Sequence, residues 1–291
     1  MGVTMLNIML LWLCASVFAG PGPGLVTETS AHYDLEVMYA ENKHDEGLVL
    51  AKQRQKENPE DLDLYWHISR FLFEVGERSE RGDTSVDKDA LYQEMLDWAE
   101  KGLEKAPEHP HLWFAKGVAM GRQSTNKGIL GMLWMLRDVE EAFLKVAESG
   151  YTYKSLGTGE HLPCHAYNTL GIYYRLVPDS WFVQWLAKTR GDLDKALDWM
   201  KKANTCSPGR IGIIKELAVV HQCIGTTRKE QASLLAGEAL LMQAQQMPAT
   251  TDTEVTDLKH IAMLLKDPKM ACGYSRDGQQ ERDEKKLKGN Q

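Results

Sequence analysis

The stretch Gly191–Gly209 has the sequence GDLDKALDWMKKANTCSPG and predicts one complete amphipathic helix. The helix begins after a Gly-Asp turn, and its apolar residues repeat with the 3.6-residue period that places them on one face: Ala196, Trp199, Met200 and Ala203. It ends at Ser-Pro-Gly because a proline has no N–H and its ring clashes with the preceding turn. The same residue types at similar spacing recur elsewhere in the chain, so this helix is one part of a repeated unit.

Two further prolines follow helices of this kind. Pro107 follows EMLDWAEKGLEKA, and Pro59 follows DEGLVLAKQRQKEN. A new helix opens after each of the three prolines, with its first large apolar residue six positions on: Tyr65, Trp113 and Ile214. These helices and a fourth carry a large residue, a small one four later and a further large one three beyond: Tyr65-Ser69-Leu72, Trp113-Gly117-Met120, Tyr167-Gly171-Tyr174 and Ile214-Ala218-His221.

This spacing is the pattern of the tetratricopeptide repeat, a helix-turn-helix unit of 34 residues. The small residue of the first helix lets the second helix approach closely. A single unit cannot bury its apolar face, so several units must stack into a solenoid. We therefore predict an all-α fold over residues 29–271, a right-handed superhelix of helical hairpins with helical insertions.

Three insertions separate the repeats. The first, ERSERGDTSVDKDA, is polar and predicts a loop, whereas the second, GILGMLWMLRDVEEAFLKV, and the third, DSWFVQWLAKTR, are apolar and predict extra helices. Three tryptophans lie in these insertions: Trp134, Trp181 and Trp185. They would either pack as additional core or line a pocket for a binding partner.

Two features of the region from Asp45 to Gly225 are typical of a known family. The segments between its helices are lengthened, and an aromatic pair precedes the second helix of the last clear repeat. The residues concerned are Trp66, Ser69-Arg70, Gly117, Leu170-Gly171, Ser180-Trp181 and the helix from Asp194 to Pro208. In these features the chain resembles the regulator-of-microtubule-dynamics family. The resemblance implies an α-helical adaptor fold without enzymatic residues, and a cytoskeletal or membrane-contact role is one function that follows from it.

Composition narrows the range of partners. The 291 residues are 43% hydrophobic and 26% charged, which is typical of a globular protein, and the formal net charge is −7. A chain this acidic lacks the broad positive field that drives binding to nucleic acid. We therefore expect a protein partner and no nucleic acid.

The two ends of the chain differ from its middle. Residues 1–19 carry no charged side chain, contain a short apolar run and end in small residues, which predicts a secretory signal peptide. We expect a Gly/Pro linker at residues 20–28, an exported (periplasmic or secreted) protein, and a disordered charged tail at residues 272–291. The alternative is a membrane anchor formed by an uncleaved segment 1–19.

Four cysteines follow Cys14, and export makes disulfides plausible. Cys206 and Cys223 lie on either side of a turn, and at about 1.5 Å rise per residue antiparallel helices place them too far apart for a bond. Cys164 opens a first helix and Cys206 closes the second helix of the same unit, so this pair is the candidate disulfide. The alternative is four separate thiols.

No catalytic or metal-binding pattern stands out in the sequence. The segment EHLPCHAY holds Glu160, His161, Cys164 and His165, but Pro163 interrupts its backbone and no second ligand pair has matching spacing. Nucleophile elbows, P-loops and HExxH sequences do not occur. We predict no metal, no cofactor and no enzymatic activity, with an enzyme built around His161 and His165 as a remote alternative.

The predicted function is therefore that of a non-catalytic scaffold. A tetratricopeptide solenoid presents a concave groove lined by its first helices, and such grooves receive a segment of another protein. The residues expected on the groove side are His67, Arg70, Lys116, Arg122, Asn168, Arg175 and Lys215. Several are basic, which favours an acidic peptide. The alternative is a small-molecule-binding component whose groove is roofed by the apolar insertions.

Overall fold

The structure is a computed structural model that describes residues 24–80, 85–127, 133–157 and 159–276. The predicted signal peptide lies outside the described residues. The fold is all-α, as predicted, and its helices have these bounds: α1 Tyr33–Ala40, α2 His44–Glu57, α3 Leu62–Glu80, α4 Lys88–Lys105, α5 Pro110–Lys127, α6 Leu136–Glu148, α7 Cys164–Leu176, α8 Trp181–Ala187, α9 Leu193–Cys206, α10 Ile211–Arg228, α11 Gln231–Gln245 and α12 Asp252–Lys266. A 3-10 helix follows at Pro268–Gly273.

Three two-residue strands form the small sheet in the described part of the chain. Strand β1 (Gly24–Leu25) pairs in parallel with β2 (Tyr153–Lys154), and β2 pairs antiparallel with β3 (His161–Leu162). The linker predicted at residues 20–28 therefore ends earlier than expected, because its residues 24–25 are fixed by backbone hydrogen bonds to the segment between α6 and α7.

Consecutive helices pack on one another along the chain. The four helices that carry the large-small-large pattern are α3, α5, α7 and α10, and each packs against a following helix: α4, α6, α9 and α11. A side chain added at Gly117 would place its Cβ 2.8 Å from the Phe143 ring, and one added at Gly171 would lie 2.6 Å from Met200. These two contacts show why small residues are needed where the helices cross.

Side-chain caps fix where several helices begin. Asp192 accepts hydrogen bonds from the backbone N–H groups of Asp194 and Lys195 at the start of α9. Asp87 and Thr251 do the same at the starts of α4 and α12. Each cap satisfies donors that have no partner within the helix, which typically contributes about 1 kcal/mol to helix stability.

The second insertion differs from its prediction. Its helical part is α6, which packs directly against α5, as α4 packs against α3 and α9 against α7. The extra residues instead lie before α6 and in the connection that contains β2 and β3. The apolar stretch misled the prediction because a buried second helix and an inserted helix share the same periodicity.

Two cores meet at α10. The main core extends from α1 to α10, and a second cluster joins α10 to α11, α12 and the C-terminal segment. The predicted start of the tail at Cys272 is too early, because Tyr274 is only 1% exposed in the second cluster and Arg276 contacts α3. Residues 277–291 lie outside the described part.

Two disulfides join helices in the described structure. Cys164 and Cys206 connect the start of α7 to the end of α9, which is the pair that the sequence singled out. Cys223 and Cys272 connect α10 to the 3-10 helix, a pairing that the sequence did not identify. Within the described ranges, no helix combines the length and the apolar character needed to cross a bilayer.

Candidate functional site

A central cavity of about 810 Å³ is the main candidate site. Helices α3, α5, α7 and α10 contribute about half of its lining residues. The others come mainly from α1 and α2, α6, the connection between β2 and β3, the start of α12 and the C-terminal segment. These four helices are the ones with the large-small-large pattern. The helices with this pattern therefore pack closely and also supply about half of the cavity lining.

Five apolar side chains from three of these helices line the cavity, and together they are called the apolar stripe. Phe73 comes from α3, Phe114 and Val118 come from α5, and Ile172 and Leu176 come from α7. All five are half-buried, so each presents part of its apolar surface to whatever fills the cavity. A ligand that covers this stripe would gain about 25 cal/mol of binding free energy for each Å² of apolar surface that it removes from water.

Arg70, predicted on the groove side, lies in a buried ion-pair cluster at one end of the cavity. Its guanidinium pairs with the Glu36 carboxylate of α1 and donates to Ser155 Oγ at 2.9 Å. Tyr153 and Ser155 also donate to Glu36, each at 2.6 Å. Burial alone would lower the pKa of Arg70, but the charges around it, that of Glu36 first, raise the pKa by more than burial lowers it. Arg70 therefore stays charged.

Arg175 and Lys215 form a second cluster on α7 and α10. Lys215 Nζ lies 2.5 Å from Asp257 Oδ1 and 3.2 Å from Glu216 Oε1, while Arg175 Nη2 lies 3.2 Å from Glu216 Oε2. Burial lowers the pKa of Lys215, but Asp257 raises it to a value above the ordinary one. Arg175 also donates to the backbone oxygens of Ala271 and Tyr274, which ties the C-terminal segment to the cavity wall.

Glu77 is the acidic centre of a third cluster. Its Oε2 accepts from Arg122 Nη2 at 2.8 Å and from Arg276, and its Oε1 accepts from the Tyr92 hydroxyl at 2.8 Å. Arg122 therefore lies on the cavity lining as predicted, and its guanidinium sits 5.2 Å from the Phe73 ring centroid. Asn168 also lines the cavity, and its Oδ1 is buried without a hydrogen-bond partner.

His67 and Lys116 do not line the cavity. His67 is 1% exposed and stacks on Trp66, because its position on α3 points it toward α1 rather than toward the open side. Burial lowers the pKa of His67 well below its ordinary value. Lys116 instead forms an ion pair with Glu100 of α4 at 2.9 Å. The prediction that His67 and Lys116 lie in the groove is therefore wrong, because both side chains make contacts between helices.

The cavity carries no excess of positive charge. Seven Arg or Lys side chains line it, and seven Asp or Glu side chains line it as well. The basic residues that favoured an acidic peptide in the sequence are each paired with a carboxylate: Arg70, Lys116, Arg122, Arg175 and Lys215. The preference for an acidic ligand therefore loses its physical basis.

The sequence did not identify the acids that neutralise the cavity. Glu36 and Glu77 look like ordinary surface carboxylates in a polar helix, and their pairing depends on contacts 34 and 45 residues apart. Glu160 is a similar case, because it is half-buried beside His111, with 2.8 Å between its Oε1 and His111 Nδ1. Burial raises the pKa of Glu160, but the hydrogen bond and charge of His111 lower it below the ordinary value.

The three tryptophans of the insertions lie at the surface. Trp134, Trp181 and Trp185 are 71%, 77% and 64% exposed, and none of them lines the cavity. They are neither additional core nor pocket walls, which corrects both expectations. Helix α8 packs through Val183 and Ala187 instead, and this leaves Trp181, Phe182, Trp185 and Leu186 facing outward.

Comparison with known proteins adds no assignment. No protein-family model matches the chain, and no curated protein is similar to it in sequence. The function must therefore be inferred from the cavity itself.

Proposed function

We propose that the chain is a tetratricopeptide-type solenoid that binds a segment of another protein in its central cavity. The observation that carries this proposal is the apolar stripe of Phe73, Phe114, Val118, Ile172 and Leu176, which comes from α3, α5 and α7 and is bordered by charges that are already paired. An amphipathic segment recognises such a groove through its apolar face.

The paired charges define the chemistry of the ligand. A buried carboxylate that loses its arginine costs about 3–5 kcal/mol, so a ligand gains little by competing for Arg70 or Arg175. The binding energy must come from the apolar stripe. The partner segment is therefore mainly apolar along one face and has no strong net charge.

A peptide-display selection against the full chain tests this proposal. We expect selected peptides to carry apolar residues at helical spacing or in an extended run, and to bind at least tenfold more weakly to Val118→Lys and Ile172→Lys. A tenfold loss corresponds to about 1.4 kcal/mol, and fluorescence anisotropy measures it directly.

Val49→Lys is the matched control. Val49 is 68% exposed on α2 and does not line the cavity, so this variant adds the same charge elsewhere and should keep full affinity. Circular dichroism shows whether each variant is folded. Peptides that bind all three variants equally, or a selection that enriches none, would contradict the proposal.

The small-molecule alternative has less support. That alternative places the insertion tryptophans at the groove, but Trp134, Trp181 and Trp185 lie outside the cavity lining. The second insertion reaches the cavity only through residues of α6, namely Leu136, Val139 and Phe143. Native mass spectrometry of the purified chain separates the two functions, because a stoichiometric bound small molecule would favour the alternative.

A second candidate function is a membrane-contact adaptor, favoured by the outward face of α8. Tryptophan and phenylalanine prefer the bilayer interface, and α8 exposes Trp181, Phe182, Trp185 and Leu186 together. Lys188 and Arg190 follow directly and suit anionic headgroups. An uncleaved segment 1–19 would add a second anchor.

Vesicle flotation tests this candidate. Trp181→Gln with Trp185→Gln should reduce the bound fraction severalfold, whereas Val255→Gln, which alters an exposed apolar residue on α12, should not. Absence of wild-type binding to vesicles with and without anionic lipid would remove the candidate. Mass spectrometry of the mature N-terminus shows separately whether residues 1–19 are retained or the protein is exported without them.

A further inference from the structure

His161 lies beside the disulfide between Cys164 and Cys206. A nitrogen of its ring and the two sulfur atoms all lie within 4.8 Å of one another. Cys164 is fully buried at the start of α7, whereas Cys206 and His161 are half-buried and open to solvent. Among the described residues, this is the one group of three His, Cys, Asp or Glu side chains close enough to share a metal ion.

The second disulfide has different neighbours. Cys272 Sγ lies 3.3 Å from the Thr227 hydroxyl and 3.8 Å from the Thr226 hydroxyl. Hydroxyl groups are poor zinc ligands compared with thiolate and imidazole. Among the described residues, an imidazole lies beside Cys164 and Cys206 but not beside Cys223 and Cys272. The second cysteine pair therefore serves as a control for the first.

We propose that Cys164, Cys206 and His161 form a zinc site when the disulfide is reduced. A thiol reductant supplies two electrons and two protons to the disulfide, gives two thiols, and is itself oxidised to a disulfide. Zinc then binds the two sulfurs as thiolates and releases those two protons to solvent. His161 supplies the third ligand through a ring nitrogen, and water completes the tetrahedral set.

The backbone geometry suits this exchange. Zn–S and Zn–N bonds of about 2.3 and 2.0 Å place two thiolates about 3.8 Å apart around a tetrahedral ion. The Cα atoms of the two cysteines are 5.4 Å apart, so rotation of the side chains about Cα–Cβ provides most of the separation. His161 reaches the site from β3, only three residues before Cys164.

The zinc site would keep α7 connected to α9 under both oxidising and reducing conditions. Under oxidising conditions the disulfide joins the start of α7 to the end of α9. Under reducing conditions the zinc ion would join the same two ends. The α7–α9 hairpin, which contributes Ile172 and Leu176 to the cavity, would then be stabilised in either compartment.

Metal titration of the reduced full chain tests this proposal. We expect one tightly bound zinc per chain, and with cobalt in its place the charge-transfer and d–d bands of a tetrahedral sulfur-ligated ion. Zinc should also protect Cys164 and Cys206, but not Cys223 and Cys272, from alkylation by iodoacetamide, as measured by peptide mass spectrometry.

Three variants complete the experiment. Cys206→Ser should abolish binding. His161→Ala should weaken binding by at least the roughly tenfold loss that follows removal of a residue that only supports a metal ligand, because His161 is itself a ligand. The double variant Cys223→Ser with Cys272→Ser should bind one zinc as the wild type does. His161 is half-buried, so its alanine variant keeps the test valid even where Cys206→Ser fails to fold. An unprotected Cys164, an unchanged affinity in His161→Ala, or no binding to the reduced wild type would overturn the proposal.

Discussion

Gly117 and Gly121 lie one turn apart on α5 but face different surroundings. A Cβ at Gly117 would lie 2.8 Å from the rigid Phe143 ring, whereas a Cβ at Gly121 meets nothing within 4 Å. Alanine is favoured over glycine in a helix by about 1 kcal/mol, and overpacking costs about 1–3 kcal/mol. We therefore expect Gly121→Ala to stabilise the protein and Gly117→Ala to destabilise it. Urea unfolding measures the difference of about 2 kcal/mol, and equal effects at both positions would contradict the close contact.

The Glu36–Arg70 pair is buried, so removing one partner should be costly. Glu36→Gln leaves the Arg70 charge without its carboxylate, and we expect a loss of about 3–5 kcal/mol in the free energy of unfolding. The double variant with Arg70→Gln should recover part of this loss. Asp45→Asn is the matched control, because the Asp45 carboxylate pairs with Arg78 at the surface and contributes less than about 1 kcal/mol. If Glu36→Gln lost no more stability than Asp45→Asn, the Glu36 carboxylate would be solvated rather than buried.

His260 should make the stability depend on pH. Burial and the nearby Lys215 lower its pKa to about 4, the Asp257 carboxylate opposes them, and the ring accepts or donates one hydrogen bond with the Tyr274 hydroxyl at 2.9 Å. Below about pH 6.5 the unfolded chain binds a proton that the folded chain does not, so stability falls between pH 6.5 and about 4. Over this range His260 lowers the free energy of unfolding by at most about 1.4 kcal/mol per pH unit.

The variant His260→Asn tests this assignment. An asparagine amide can keep the hydrogen bond to Tyr274 but does not titrate in this range. Urea midpoints measured from pH 7 to pH 4 should therefore fall less steeply for the variant than for the wild type. Identical slopes would mean that other groups cause the loss.

At the scale of the element, α8 shows that apolar residues at helical spacing do not always become core. Val183 is 2% exposed and Trp181 is 77% exposed, although both belong to the same short helix. We expect Trp181→Gln and Trp185→Gln to change the free energy of unfolding by less than about 0.5 kcal/mol each. Val183→Ala should cost about 1 kcal/mol or more, because it removes buried methyl groups.

Iodide quenching of tryptophan fluorescence provides the second measurement for α8. The wild type should be quenched efficiently, and the fraction of quenchable emission should fall when Trp181 and Trp185 are both replaced. Large stability losses in the tryptophan variants would show that these rings are buried, as the core interpretation expected.

The helices with the large-small-large pattern were predictable because their signals are local. Proline stops, small residues such as Gly117 and Gly171, and the period of the apolar residues are all contained within single helices. The all-α class is confirmed on these grounds. The role of α6 was not predictable, because its periodicity fits both an inserted helix and the second helix of a unit, and only packing against α5 decides between them.

The candidate site was predictable only in part. Helical position placed Arg70, Arg122, Asn168, Arg175 and Lys215 on the helices that face the cavity, where the structure finds them. The ion pairs of Arg70 and Arg122 were not predictable, because Glu36 and Glu77 reach them through contacts that depend on how distant helices cross. The same limit applies to Cys272, whose partner Cys223 lies 49 residues away.

At the scale of the whole molecule, the C-terminal segment contacts a helix that is far from it in the sequence. Arg276 pairs with Glu77 of α3, which lies 199 residues earlier in the chain. Tyr274 is held on the way by the second core and by Arg175, whose Nη1 donates to its backbone oxygen at 2.7 Å. The segment thus connects the last helices to the first part of the stack along the edge of the cavity.

Hydrogen exchange should detect this long-range connection. Arg276→Gln removes the charge that reaches Glu77, so we expect faster amide exchange both in residues 267–276 and in the last turns of α3, with α9 unchanged. Arg228→Gln is the matched control, because Arg228 pairs with Asp194 at the surface between neighbouring helices and should change exchange only locally, if at all. Faster exchange in residues 267–276 alone would contradict the connection, because α3 would then be independent of the C-terminal segment. A paired response at two sites so far apart in sequence is the result expected if the contact between Arg276 and Glu77 stabilises both segments.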